Sequence, residues 1–358
     1  MVGRPTYRAA ILCAATSVVF LVLSCGKDKN TVLRPAPDPG PGTSTFDVFP
    51  VHQDGPSWSS TGLIAFRDNG IVCVKADGAF YVDSTLAGIW VINPRTGLRY
   101  RASARGEDAA WSPDGQRLAL ENGGQIFSCK FDGTDWVQLT TLGKNFFPRW
   151  SSNGMRVVFD SDGGNDANPY SIWIVNADGT GRAPLCGGGR ARMPDIDHGQ
   201  NVVFIAPSSV GSAQEVWTTD SLCTAHQLTS IGGECSIPRY SPSANFIAFS
   251  AQDAASALPE IWIANRDGTG LHQLTHQGAT YPGWSPDADS LVCVRTDWNS
   301  PAPDRNVLWV VSASSGTGRQ LLSQWPQQCQ QQGPSAVAAI RREQAHHPRA
   351  GASDARTP

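Results

Sequence analysis

The chain has no Gly-x-Ser-x-Gly elbow, no phosphate-binding glycine loop and no dinucleotide fingerprint. The first absence excludes a nucleophile-elbow hydrolase, and the others exclude the commonest nucleotide sites. Its nine cysteines show no zinc spacing. Long apolar runs are also missing, apart from Ala9–Leu23 near the N-terminus. Removing that segment with Arg4 and Arg8 leaves 26 basic against 31 acidic residues, a charge of −5 instead of −3. Nucleic-acid binding needs clustered Lys and Arg, so this balance argues against such a partner.

What is present is a repeat. Residues 147–185 run through a Trp, a polar Gly turn, a short apolar strand, a polar loop, a second apolar strand, an Asp-Gly turn and a third strand. Trp150 anchors this unit, and its counterparts are Trp58, Trp111, Ile196, Tyr240 and Trp284. Turns such as Ser112-Pro113-Asp114-Gly115 follow the anchors. Pro presets φ there, Asp bonds its own backbone, and Gly accepts positive φ. Apolar runs such as Val157–Phe159 and Phe246–Phe249 come next, too short for helices and rich in branched residues. A further strand centres on Trp90, Phe127, Trp173, Trp217, Trp262 or Trp309, and Asp178-Gly179 and Asp267-Gly268 are hairpin signals.

The anchors recur at intervals of about 53, 39, 46, 44 and 44 residues. Each unit supplies about four antiparallel strands. Such a sheet has two faces and cannot bury both alone, but radial packing around an axis buries both. The expectation is an all-β, six-bladed β-propeller with aromatic anchors between blades. A β-sandwich would not repeat Trp, turn, strand, Trp, strand and Asp-Gly at fixed spacing.

The segments WSPDG, SDGGNDANPYSIWIVNADGTGRAPL and EIWIANRDGTGLHQLT resemble the WD-like repeats of the TolB-type propeller over roughly residues 57–322. Unit four departs, with Asp195-Ile196-Asp197-His198-Gly199 in place of Trp-Ser-Pro-Asp-Gly. Unit one carries an extra hairpin around Ala76-Asp77-Gly78. TolB proteins have an α/β domain ahead of the propeller. The segment preceding these repeats is too short to be one, so the resemblance implies a propeller without it.

Residues 1–24 read as a secretory signal. Their ending, Val22-Leu23-Ser24-Cys25, resembles a bacterial lipobox, which implies lipid on Cys25 and a membrane anchor. Residues 25–44, with Pro35, Pro37, Pro39 and Pro41, read as an extended tether. Residues 45–322 form the propeller, with Phe46–Phe49 a candidate extra strand for the last blade. Residues 323–358, rich in Gln, Arg, His and Pro, read as a disordered tail, with a short helix considered at Ala336–Gln344.

Long connections should emerge on one face: Asp160–Asn168, Pro207–Gln214, Ala251–Pro259, Asp297–Arg305 and the interblade link Gly187–Met193. Recognition tends to sit on such loops over a rigid scaffold. The candidate binding residues there are Asp160, Asp162, Asn165, Asp166, Arg190, Arg192, Asp253 and Asp297. Arg149, Asp195 and Arg239 precede their anchors and should lie near a mouth of the axial channel, holding an acidic group or a protein loop, or pairing with one another. The Asp160–Asp166 run lacks the terminal acid of an EF-hand, so no metal is expected. No cofactor and no catalytic residue are assigned. Cys293 occupies a core strand position, and Cys223 with Cys235 is the most plausible disulfide in an exported chain.

These observations point to a non-catalytic, lipid-anchored binding module of a bacterial cell envelope, recognising a protein, peptide or glycan through one face. The alternatives are an envelope enzyme with an axial site, either a metal-assisted lactonase or a glycan-processing activity, and a purely structural subunit.

Overall fold

The computed structural model describes residues 47–50, 53–74, 80–84, 87–166, 169–186, 189–220, 223–296 and 306–321. The expected signal, Cys25, the tether, the tail and the whole Asp297–Arg305 loop lie outside these residues.

Every regular element described is a strand. β1 (Asp47–Pro50), β4 (Ile71–Val74) and β5 (Phe80–Asp83) make a small separate sheet. The first blade is β2 (Gln53–Trp58), β3 (Ile64–Asp68), β6 (Gly88–Ile92) and β7 (Arg99–Ser103), with the β4–β5 hairpin inserted between its second and third strands. The second holds β8 (Glu107–Trp111), β9 (Arg117–Asn122), β10 (Gln125–Lys130) and β11 (Val137–Gln138). The third holds β12 (Asn145–Trp150), β13 (Arg156–Ser161), β14 (Ser171–Asn176) and β15 (Ala183–Cys186). The fourth is β16 (Arg192–Ile196), β17 (Val202–Pro207), β18 (Gln214–Thr219) and β19 (Ala225–Gln227). The fifth is β20 (Glu234–Tyr240), β21 (Phe246–Gln252), β22 (Glu260–Asn265) and β23 (His272–Gln273), and among the described residues its strands pair with the fourth sheet through a single parallel bridge between Gln214 and Glu234. The sixth is β24 (Thr280–Trp284), β25 (Ser290–Thr296), β26 (Asn306–Ser312) and β27 (Gly318–Gln320).

Apolar side chains of consecutive sheets meet in clusters. Trp111 and Tyr100 lie in the seam between the first and second sheets, and Trp150 and Phe159 in the next. The last seam joins Val292, Val294 and Leu308 to Ile64, Phe66 and Trp90. That cluster brings the sixth sheet against the first, so the arrangement is a ring and not an open stack. Phe66, Phe159, Phe204 and Phe249 are fully buried; enclosing one such side chain contributes roughly 1.5–3 kcal/mol. Trp111 Nε1 donates to the Ser57 carbonyl and Trp284 Nε1 to the Arg239 carbonyl, each at 3.1 Å. These two anchors thereby reach the innermost strand of the preceding sheet.

The turns after the anchors show why the repeat needs Ser. Ser151 Oγ accepts from Arg156 N at 3.0 Å and bonds Asn153 Oδ1 at 2.8 Å. Ser112 and Ser285 do the same with their own turns. In unit four Asp197 takes this role, accepting from Asn201 N at 2.8 Å. Its buried carboxylate also pairs with Arg266 of the fifth sheet. The departure in sequence is thus a chemical equivalent with an added interblade tie.

Two expectations are corrected. β1 pairs with β4, Asp47 opposite Val74, and adds no strand to the last blade. The inserted hairpin offers β1 a free edge, and the ring closes by apolar packing instead of strand exchange among the described residues. Cys235 is a free, buried thiol, so it is not the partner of Cys223, which is disulfide-bonded. Cys235 faces the seam between the fourth and fifth sheets. Cys293 is buried and free, as its core position implied.

Candidate functional site

The six innermost strands, β2, β8, β12, β16, β20 and β24, neighbour one another in a closed circuit. Each carries a bulge against its partner strand. At each bulge one residue adopts positive φ: Gly55, Asp108, Phe147, Met193, Ile237 and Tyr281, between 51° and 57°. These residues stand three before each anchor, and all but Asp108 precede a proline. Non-glycine residues resist this conformation by roughly 1–2 kcal/mol, so its recurrence shows that packing imposes it. A bulge re-aims side chains. Here it turns charged groups toward the axis.

Asp108 interacts electrostatically with Asp54 of the first sheet, Arg149 of the third and Arg239 of the fifth. Arg239 in turn interacts with Arg149, Asp195 and Tyr281. Only the axis brings groups from all six sheets together. Protein surrounds Asp108, Arg149 and Asp195, yet each keeps some accessible surface, as expected for side chains lining a narrow channel. Burial dominates their titration. It raises Asp108 to about 7 and raises Asp195, with the arginines opposing in both cases. It lowers Arg149, and together with the nearby Arg149 charge it lowers Arg239 to about 9.

The three axial residues read from sequence do meet, but not as ion pairs among the described residues. Arg149 Nη1 donates to the Pro148 carbonyl at 2.7 Å and Arg239 Nη1 to the Pro238 carbonyl at 2.6 Å. Asp195 Oδ2 accepts from Tyr240 N at 2.9 Å. Arg239 is 7% exposed, and its Nη2 is buried without a hydrogen-bond partner.

No protein-family model matches the chain, and no curated protein matches it in sequence. Among solved structures it is similar to a protein assigned as TolB from Agrobacterium tumefaciens, with 18% identity and a TM-score of 0.57, covering 65% of this chain and 87% of that one. It is also similar to the β-propeller domain of the Trilobed protease from Pyrococcus furiosus, described as having an open velcro topology (8% identity, TM-score 0.51, 79% and 98% covered).
The fold is that of a TolB-type β-propeller.
TolB from Acinetobacter baumannii, at 16% identity and a TM-score of 0.50, is spanned over only 56% of its length. At these identities the likeness concerns fold alone. The open velcro description agrees with the way this TolB-type ring closes.

The rim residues fall into two kinds. Asp160 is fully buried, and its Oδ2 meets Arg192 Nε at 3.3 Å and Met193 N at 3.1 Å. Burial raises its carboxyl to about 6 against the opposing Arg192 charge. Arg192 also lies over the Tyr170 ring at 4.7 Å. Asp162 is buried and accepts from Lys144 N and Gly164 N, both at 2.9 Å. These two aspartates therefore shape the loop from within. Asn165, Asp166 and Arg190 are exposed, and Asp166 pairs with Lys144 at 3.2 Å. Asp253 closes its own turn through Ser256 N and Ala255 N. Val210 and Leu142 project from the same rim, 87% and 57% exposed. A polar cleft of about 260 Å³ opens there beside Arg67, Glu107 and Glu121.

Sequence reasoning missed Asp54, Asp108 and Tyr281. The available signal was the register: Asp108 and Tyr281 both stand three residues before an anchor, as Phe147 does. This position shares a strand face with the residue directly before the anchor, the register of Arg149, Asp195 and Arg239, so alternation carried two residues further back reaches it.

Proposed function

We propose that this protein is a non-catalytic, lipid-anchored binding module of a bacterial cell envelope, in which the propeller presents loops of one face to a protein, peptide or glycan. The carrying observation is the asymmetry of the two faces. One bears the longer connections, with Val210, Leu142, Asn165, Asp166 and Arg190 exposed. The other bears tight turns such as Asp178-Gly179, closed by Thr180 N on Asp178 Oδ1 at 2.9 Å. A rigid ring holds the loop ends fixed, which reduces the ordering cost of recognition. The lipobox-like ending at Cys25 supplies the envelope location and the membrane attachment of this reading.

The test is photocrosslinking in cells from residues replacing Val210 and Leu142, with Met155 on the opposite face as control. Capture of a defined macromolecule from the first two sites supports the reading. Capture from Met155 alone contradicts the face assignment. Metabolic labelling with a fatty acid should mark the wild type and not Cys25→Ser.

A further inference from the structure

Separately from the rim, we propose that the axis of the ring binds a carboxylate on Arg149 and Arg239, supplied by a small organic acid or by a peptide C-terminus. Each guanidinium is tied by one nitrogen to the carbonyl of the proline before it. This fixes both groups without neutralising them. Arg239 then retains a buried Nη2 with nothing to donate to, and such donors are almost always satisfied in folded proteins. The two like charges also lie close enough to disfavour each other, which an acceptor between them would relieve.

The neighbouring acids do not serve as that acceptor. Asp195 is engaged by Tyr240 N, and neither Asp195 nor Asp108 forms an ion pair with either arginine among the described residues. Their presence selects the ligand. A dianion such as phosphate would meet Asp108 and Asp195 in the same enclosed space. A carboxylate carries one charge and two acceptor oxygens, enough for two guanidinium groups. Asp54 and Glu107, from the first two inner strands, and Tyr281, from the sixth, complete the charged and titratable surroundings. Asp108 is mostly neutral below a pH of about 7 and charged above it. Carboxylate affinity should therefore rise as the pH falls across that value.

The experiment is calorimetric titration of the full chain with acetate, with triglycine and with triglycine amide, at a pH of about 6 and about 8, either side of the Asp108 midpoint. Saturable binding of acetate assigns a small acid. Binding of triglycine without its amide assigns a peptide terminus. In either case affinity is higher at the lower pH, and Arg239→Gln lowers it by at least about tenfold, as expected for loss of a charge-assisted hydrogen bond. Asp108→Asn keeps the binding and abolishes its pH dependence, a readout that survives should the Arg239 variant misfold. The proposal is overturned by the absence of saturable binding to any probe. Equal binding of the amide, undiminished binding in a folded Arg239→Gln protein, or unchanged pH dependence in Asp108→Asn would overturn it too. Failure at the axis leaves rim capture intact, and the reverse also holds, so the two readings fail separately.

Discussion

The seams between the sheets and the axis they enclose are built from the same strands and follow opposite rules. At the seams, Trp111, Trp150, Ile196, Tyr240 and Trp284 repeat one task and are each at most 8% exposed. One residue earlier the chain reads Ser57, Ala110, Arg149, Asp195, Arg239 and Gly283, which share neither size nor charge. The seam must be filled six times with the same kind of surface, so its positions stay alike. The axis is where the six units face one another, and any unit can differ there without leaving a hole in a seam. Repetition marks what holds the ring together, and variation marks where it can acquire a ligand.

Deleting seam volume should break this contrast most. Phe159→Ala should cost about 3–5 kcal/mol by denaturant unfolding, since Phe159 lies fully buried between the second and third sheets. Asp197→Ala should cost about 1–3 kcal/mol, because it removes the Asn201 turn bond and the tie to Arg266 together. At the axis the sign should change. Arg239→Met should leave stability within about 1 kcal/mol of wild type or raise it, because burial and the nearby Arg149 charge outweigh what Asp195 and Asp108 return to its guanidinium.

Acidity sharpens the same comparison. Asp68, Asp108 and Asp160 titrate near 6, 7 and 6 in the folded ring, against 3.8 when unfolded. Their folded forms bind more protons between those values, so stability falls as the pH rises from about 4 through about 7. The protein should melt higher at a pH of about 5 than at about 8, and Asp108→Asn should flatten the upper part of that slope. Turn aspartates such as Asp178 and Asp267 are held low by their Thr partners, so they weaken the fold below a pH of about 4. The smallest effect belongs to the rim. Asp166→Asn breaks an exposed pair with Lys144 and should change stability by less than about 1 kcal/mol.

Most of the ring was legible in advance. Ser-x-Asp turns, Asp-Gly hairpins and short apolar alternations act within a few residues, so they can be read from the chain. The axial site was half legible. Arg149, Asp195 and Arg239 stand directly before their anchors, whereas Asp108 lies two residues further back on the same strand face, inside the bulge. Asp160 and Asp162 looked like a surface loop because acids in a Gly-rich stretch usually are. Their burial depends on Arg192 and Lys144, which lie on segments distant in sequence.

By itself, then, the sequence determined the strands, their turns, their number per unit and the aromatic positions in the seams, because each follows from local periodicity and turn chemistry. Tertiary structure alone decided that β1 joins the inserted hairpin, that Cys235 stays a thiol, and that two arginines share the axis with acids that do not pair with them. Those outcomes depend on distances between units far apart in the chain, which are set only when the sixth sheet packs against the first.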